Sequence, residues 1–349
     1  MNKLEYNLPV EDYKWQKSYL NKVSRTFALS IDYLPTPIEE YTSVQYLLCR
    51  VPDTIEDAMH IKPEKKNELL NLYSDVIHPG KKTNATQFTK AVSEYERETD
   101  DWNLVMDLPR LVNIFRSFPA IIQSVTTPWV RELTEGMAMS VNRNKGSRGI
   151  RIKSQDDLEE YCYYVAGTVG HMIIDTLIAS KDVAAEDYVS LHQNARNYGI
   201  FLQHINISKD VYDDYEDEDS VYIPENILNK YNIPQSDVTL LGNKQDVTKS
   251  INEVLDITKT FIHGAEEFLE QIQDIDDESY IGWSIPYVLA VATMRELRKN
   301  VDNIVSTNPV KIEREEVMSI VSALEDGDHA AGEIRKIVEE TPYHKYTEN

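Results

Sequence analysis

The 349-residue sequence carries 59 acidic against 36 basic side chains, a formal charge of −23. That excess argues against nucleic acid and against anionic lipid as partners. Because the acidic residues are scattered along the whole chain, it also reads as a composition adapted to high salt.

Cys49 and Cys162 both sit in apolar helical surroundings, the pattern of free buried thiols in a reducing cytoplasm. The N-terminus has no apolar signal region, and no uncharged apolar run nears the roughly 20 residues of a membrane span. The expectation is a cytoplasmic monomer with no transmembrane segment, able at most to touch a bilayer peripherally when product leaves.

In chain order, the pattern predicts a helix over 11–34 that enters SRTFALSIDYLP and stops at Pro35 and Pro37. The next helix, 38–59, carries YLLCRVPDTIED, where Tyr46, Arg50, Asp53 and Asp57 share one face. Pro52 lies inside it and should cost a hydrogen bond and bend the helix. Helices follow over 64–77, 84–101 and 105–140, the last broken near Pro109, Pro119 and Pro128. Residues 142–155 form a basic, glycine-containing loop. A long helix over 156–179 opens with acidic residues that suit its N-terminal dipole, and its Ala166, Gly167 and Gly170 allow another helix or a substrate to approach closely.

The helix over 186–214 organises the chain. Gln203, Asn206, Asp210 and Asp214 fall at spacings of three, four and four, one polar stripe among Ile200, Phe201, Leu202, Ile205 and Ile207. Two amides and two carboxylates are costly to bury in such surroundings unless a cation sits among them. One D-x-x-x-D in so acidic a chain is usually a solvated face, and most of the run Asp213–Asp219 reads that way. Two such pairs, each with polar residues in phase, instead suggest Mg2+ ions holding a diphosphate between facing helices. Helices over 246–273 and 279–302, a linker containing PVKIEREE, a last helix and a polar tail over 331–349 complete the chain. No strand alternation and no repeat appears. The expected fold is all-α, one domain over 1–349 with its core at about 14–330.

SRTF (24–27), YLLCRVPDTIED (46–57), YCYYVAGTVG (161–170), FLQHINISKDVYDD (201–214) and VYIPENIL (221–228) together resemble the squalene/phytoene synthases, from about Ser24 to Glu316. The resemblance implies a class I isoprenoid synthase bundle around a deep central channel. Two aspartate-rich helices there hold Mg2+ and two prenyl diphosphates. It matches Asp53, Asp57, Asp210 and Asp214 to metal ligands, and Ser24, Arg25 and Arg50 to diphosphate contacts. Gln203 and Asn206 match the amides of the second helix, and Tyr161 the tyrosine implicated in proton removal. Phe27, Tyr46, Tyr164 and Trp283 are aromatic faces able to steady a carbocation.

YCYYVAGTVG, IPYVLAVATM (285–294) and PVKIEREE (309–316) are closer to squalene synthase. The substrate implied is farnesyl diphosphate, two molecules, and Lys311 and Arg314 would reach the phosphates of NADPH. Phytoene or dehydrosqualene synthesis, which needs no reductant, is the alternative. The chain departs from the family pattern at Lys209 and Ser220, where arginines are expected, and at Asp213, where glutamate is usual. The aromatic at Trp283 also appears shifted against Gly282. The C-terminal anchor of many eukaryotic relatives has no counterpart. A head-to-tail prenyltransferase would need D-D-x-x-D, which neither acidic stretch forms, and a dead scaffold would have no reason to keep metal-ligand spacing.

Overall fold

The computed structural model describes residues 8–181, 187–299, 305, 310–325 and 331–340, with Arg25, Ala331, Ile337 and Glu340 described by backbone alone. Ser24 divides the first predicted helix. Its backbone is extended and its Oγ accepts from the Phe27 amide at 3.2 Å, so α1 (Val10–Val23) ends there and α2 (Arg25–Asp32) begins. Helices α3 (Ile38–Asp57) and α4 (Pro63–Ile77) lie where the periodicity puts them. The 84–101 span divides in two. Asn84 and Gln87 form a capping box that starts α5 (Ala85–Val92), and Thr99 caps a separate α6 (Asp100–Met106). Helix α7 (Leu108–Ser117) precedes α8 (Ala120–Arg143), which runs through Pro128 without a break.

Helices α9 (Gln155–Cys162) and α10 (Thr168–Lys181) are joined by one π turn, Tyr163–Gly167. The organising helix is also two: α11 (Tyr188–Lys209) and α12 (Val211–Glu218), with Asp210 at the joint (φ −101°, ψ 15°). After α13 (Glu225–Leu228) come α14 (Lys244–Thr258), α15 (Ile262–Ile275) and α16 (Asp277–Lys299). Helices α17 (Arg314–Glu325) and α18 (Ala331–Glu340) follow. The isolated bridge between Arg151 and Val221 is the one β pairing among the described residues. The chain is thus an all-α bundle in a single domain.

Helix α8 packs against α4 and α10, and α11 against α10, α15 and α16. The small residues of the 161–170 stretch are used for helix contact. A Cβ on Gly170 would lie 2.1 Å from the Ala195 carbonyl oxygen, and one on Gly199 2.2 Å from that of Ala166. The span Gln155–Lys181 is long and apolar enough to cross a membrane by length and composition, but 56% of its most apolar window is buried in the bundle. At the C-terminus, Arg295 donates to Glu296 (2.7 Å), Glu316 (2.5 Å) and the Val338 carbonyl (2.9 Å), tying α17 and α18 to α16. Residues 331–340, expected as polar tail, fold because Ile334 and Val338 find apolar cover and Arg335 pairs with Glu266 at 2.7 Å. Residues 341–349 of that tail lie outside the described residues.

Two helices tolerate internal prolines by borrowing hydroxyl donors. Pro52 leaves the Leu48 carbonyl without its helical partner, and the buried Tyr73 hydroxyl donates to it at 2.6 Å. Pro286 does the same to Gly282, whose carbonyl accepts from Ser30 Oγ at 2.6 Å. Replacing Tyr73 with Phe leaves the Leu48 carbonyl buried and unpaired. Equilibrium denaturation of Tyr73→Phe should show a loss of about 1–3 kcal/mol, and an unchanged midpoint would contradict this.

Candidate active site

The first acidic helix ends in a crowded carboxylate group. In α3, Arg50 Nη1 donates to Asp53 Oδ2 at 2.5 Å while its Nε donates to Asp101 Oδ1 of α6 at 2.8 Å. The carboxylates of Asp53, Glu56 and Asp57 offer oxygens within 4.8 Å of one another. Tyr161, at the end of α9, donates its hydroxyl to Glu56 Oε2 at 3.1 Å. The other Glu56 oxygen is buried and has no hydrogen-bond partner among the described residues.

Burial first, and repulsion from Asp53 second, push Glu56 up to about 8. Burial also raises Asp53 against the pull of Arg50, and raises Asp57 well above the usual carboxylate range with help from Asp53 and Glu218. Arg50 and Asp53 each keep 32% of their side-chain exposure, so the group opens to solvent on one side and is partly screened there.

The second acidic helix faces the first. Lys209 Nζ pairs with Asp210 at 2.7 Å, yet burial still raises Asp210. Asp214 is held well above its ordinary value by burial and then by Glu218 and Asp210. Glu218 rises to about 7, through burial and then through Asp53 across the gap. Glu56 of α3 and Glu218 of α12 are linked through the Tyr161 and Tyr222 hydroxyls, so the two helices bring their carboxylates to common ground. A chain of hydroxyls spans the same ground. Tyr222 lies 3.2 Å from the Tyr161 hydroxyl, their rings stack with centroids 5.0 Å apart, and Tyr222 donates to Glu218 at 3.5 Å.

The sequence-predicted residues are gathered unevenly. Tyr46 and Phe27 are half-buried neighbours, ring centroids 5.4 Å apart, and the Tyr46 hydroxyl lies beside Ser24, burial pushing it up to about 12. Gln203 is half-buried, but Asn206 is exposed. The helix turns at Asp210, so the straight stripe drawn through 203, 206, 210 and 214 does not hold over its full length. Lys311 is exposed, yet its charge reaches Asp210 and offsets a little of the rise that burial causes there, whereas Arg314 is exposed at the start of α17. The Arg25 side chain lies outside the described residues. Of the other aromatic faces, Tyr164 is half-buried and Trp283 is buried with its Nε1 unpartnered among the described residues.

Sequence reasoning missed Glu56, Glu218, Asp101 and Tyr222. Glu218 had a signal, since it continues the spacing of four from Asp210 and Asp214 in a run read as mostly solvated. Where an arginine was expected, Ser220 is buried and its Oγ accepts from the Ile150 amide at 3.0 Å. The guanidinium of Arg151 reaches the neighbouring Asp219 instead.

The squalene/phytoene synthase family pattern matches residues 20–316, and the chain belongs to that family. It is similar to squalene synthase of Schizosaccharomyces pombe, 27% identical over 304 residues, which cover 86% of this chain and 63% of that protein. It is also similar to inactive squalene synthase 2 of Arabidopsis thaliana, 24% identical over 95% of this chain and 76% of the relative. Among solved structures, the complex of TcSQS with the ligand BPH1237 superposes with a TM-score of 0.80 at 22% identity, covering 96% of this chain and 93% of that one. That likeness is one of fold.

The donor set fits a hard divalent cation: three convergent carboxylates, one oxygen unpaired, and burial that disfavours their charge unless a cation offsets it. The sign of the pH response follows. Glu56 binds its proton more tightly in the folded chain, near 8 against 4.5 unfolded, and Glu218 does so near 7. Their contribution to stability is therefore complete below about pH 4.5 and is lost as pH rises toward 8. Mg2+ binds the deprotonated group, so its stabilisation runs the other way. Calorimetric melting with Mg2+ about a hundredfold above its Kd should gain about 2–3 kcal/mol near pH 8, and much less near pH 5. An equal gain at both pH values would contradict the assignment.

Proposed function

We propose that this chain joins two molecules of farnesyl diphosphate head to head into presqualene diphosphate, then reduces that product with NADPH to squalene. The observation that carries this reading is the convergence of the α3 carboxylates with Glu218 of α12 through Tyr161 and Tyr222, in a chain of this family, beside the half-free guanidinium of Arg50. Asp53, Asp57, Asp210 and Asp214, with Glu56 and Glu218 added, would hold Mg2+. The metal would supply positive charge to the departing diphosphate, which carries about three negative charges once the C–O electron pair has gone to it.

Around that centre, Arg50 has Nε and Nη1 committed to Asp101 and Asp53, while Nη2 makes no hydrogen bond among the described residues and is the atom assigned to a diphosphate oxygen. Ser24, Arg25 and Lys209 complete the diphosphate contacts. Lys209 is a point charge where arginine would offer a bidentate fork. Gln203 and Asn206 are assigned to the second diphosphate, and Asn206 would have to gain cover when substrate binds. Phe27 and Tyr46 present ring faces to the allylic cation. Tyr161 receives the role of proton relay. An isolated phenol is a poor base, but this hydroxyl lies between Glu56 and Tyr222, which gives a departing proton somewhere to go. Lys311 and Arg314 are assigned to the NADPH phosphates. The reach of the Lys311 charge to Asp210 supports the first of these.

The test is a product assay with purified protein, farnesyl diphosphate and Mg2+, with and without NADPH. Squalene should form only with NADPH, and Asp210→Asn should lose on the order of 10²-fold or more in turnover. Replacing Lys311 and Arg314 together should spare condensation and let presqualene diphosphate accumulate. Dehydrosqualene with or without reductant, or turnover confined to the C20 substrate, would overturn the assigned product. A near-normal rate for Asp210→Asn would overturn the site.

A further inference from the structure

Lys66 is a buried ammonium that none of the assigned chemistry uses. It stands in the first turn of α4, its side chain sealed from solvent, and among the described residues it pairs with no carboxylate oxygen. Its Nζ donates instead to two backbone carbonyls, that of Glu56 in the last turn of α3 and that of Arg148 at 3.3 Å in the basic loop. Burying an ammonium is costly even when it is hydrogen-bonded, so the position calls for a reason.

The basic loop is fastened to the far side of the acidic centre. The Arg148 amide donates to Asp219 Oδ2 at 3.3 Å, and the Ile150 amide to Ser220 Oγ at 3.0 Å. The Val221 amide donates to the Ile150 carbonyl at 2.8 Å, and the Ile152 amide returns to the Val221 carbonyl at 3.2 Å. Arg151 closes on both the carbonyl and the carboxylate of Asp219. At Gly149 the two backbones meet so closely that a Cβ would lie 2.2 Å from the Asp219 carbonyl oxygen. Residues 219–221 directly follow α12, which carries Asp214 and Glu218. Lys66 therefore joins the end of one acidic helix to a loop zipped onto the end of the other. Its charge is felt by Glu56 and Asp57 on one side and by Glu218 and Asp219 on the other.

We propose that Lys66 is a positioning residue, a charged pin that sets the separation between the α3 and α12 carboxylates without touching metal or substrate. The inference rests on the reading of that centre as a divalent-metal site. A pin and a mere counter-charge make opposite predictions. Removing a nearby cation should tighten the binding of another cation, whereas removing the pin should let the ligands drift apart and weaken it.

The experiment is Mn2+ titration of the full chain by electron paramagnetic resonance, with hydrogen exchange read on the same proteins without metal. Lys66→Met should weaken Mn2+ binding about 10–100-fold, the range for loss of an outer support of metal ligands. It should also speed exchange of the Ile150, Ile152 and Val221 amides about tenfold or more. Lys66→Arg, which keeps donors for both carbonyls, should recover much of both. Gly149→Ala breaks the same clamp from its other end and should reproduce the Lys66→Met result, and it decides the matter alone if Lys66→Met does not fold. Unchanged or tighter Mn2+ binding in Lys66→Met, or unchanged amide exchange, would overturn the proposal. Wild-type protein that binds no Mn2+ would instead sink the metal reading, and the exchange rates alone would then judge the pin.

Discussion

Repulsion among buried and half-buried carboxylates is the constraint on which the rest of this structure depends. Asp53, Glu56 and Asp57 crowd the end of α3, and Asp214 and Glu218 face them from α12. Each makes its neighbours harder to ionise, and one buried oxygen of Glu56 has no hydrogen-bond partner among the described residues. Local groups soften the conflict. Arg50 lies against Asp53, Lys209 against Asp210, and Tyr161 gives Glu56 one donor. What remains is an unbalanced acidic centre, the kind of local inconsistency that folded chains retain where function requires it. A divalent cation would offset it, as the proposed function requires.

The bundle is built to hold that centre still. Helix α3 could not carry Pro52 one residue before Asp53 without a donor for the Leu48 carbonyl, and Tyr73 from α4 supplies it. Helix α16 repeats the device at Pro286 with Ser30. Glycines at 170 and 199 bring α10, the π turn and α11 within backbone contact, which fixes the line along which Asp210 and α12 emerge. The C-terminal helices are tied to α16 through the buried Arg295 and its two glutamates. Backbone placement and side-chain chemistry thus serve one region.

Much of this was legible in the residues. Apolar periodicity and its proline breaks placed most helices, and Arg50, Asp53 and Asp57 stay in phase because one unbroken helix carries them. The second stripe was only partly legible. Asp210 sits at a joint that no periodicity announces, Asn206 faces outward within α11, and Glu218, dismissed within an acidic run, meets Tyr222. Glu56 escaped notice because it lies about 100° around the helix from Asp57, off the face that carries Arg50, Asp53 and Asp57. Asp101 and Tyr222 act from 51 and 61 residues away from Arg50 and Tyr161, respectively, and nothing local predicts such meetings. The same holds for Ser220, whose missing arginine made sense only once Arg151 was seen beside Asp219. The π turn at Tyr163–Gly167 left no signal in composition at all.

The most direct test of this account is an anomalous-scattering map from crystals of the whole chain grown with Mn2+ at neutral to mildly basic pH. The account predicts strong peaks between α3 and α12, with oxygens of Asp53 or Asp57 on one side and Asp214 or Glu218 on the other at coordination distance. A map with ordered carboxylates and no metal between these helices would contradict it, because the repulsion would then be balanced some other way.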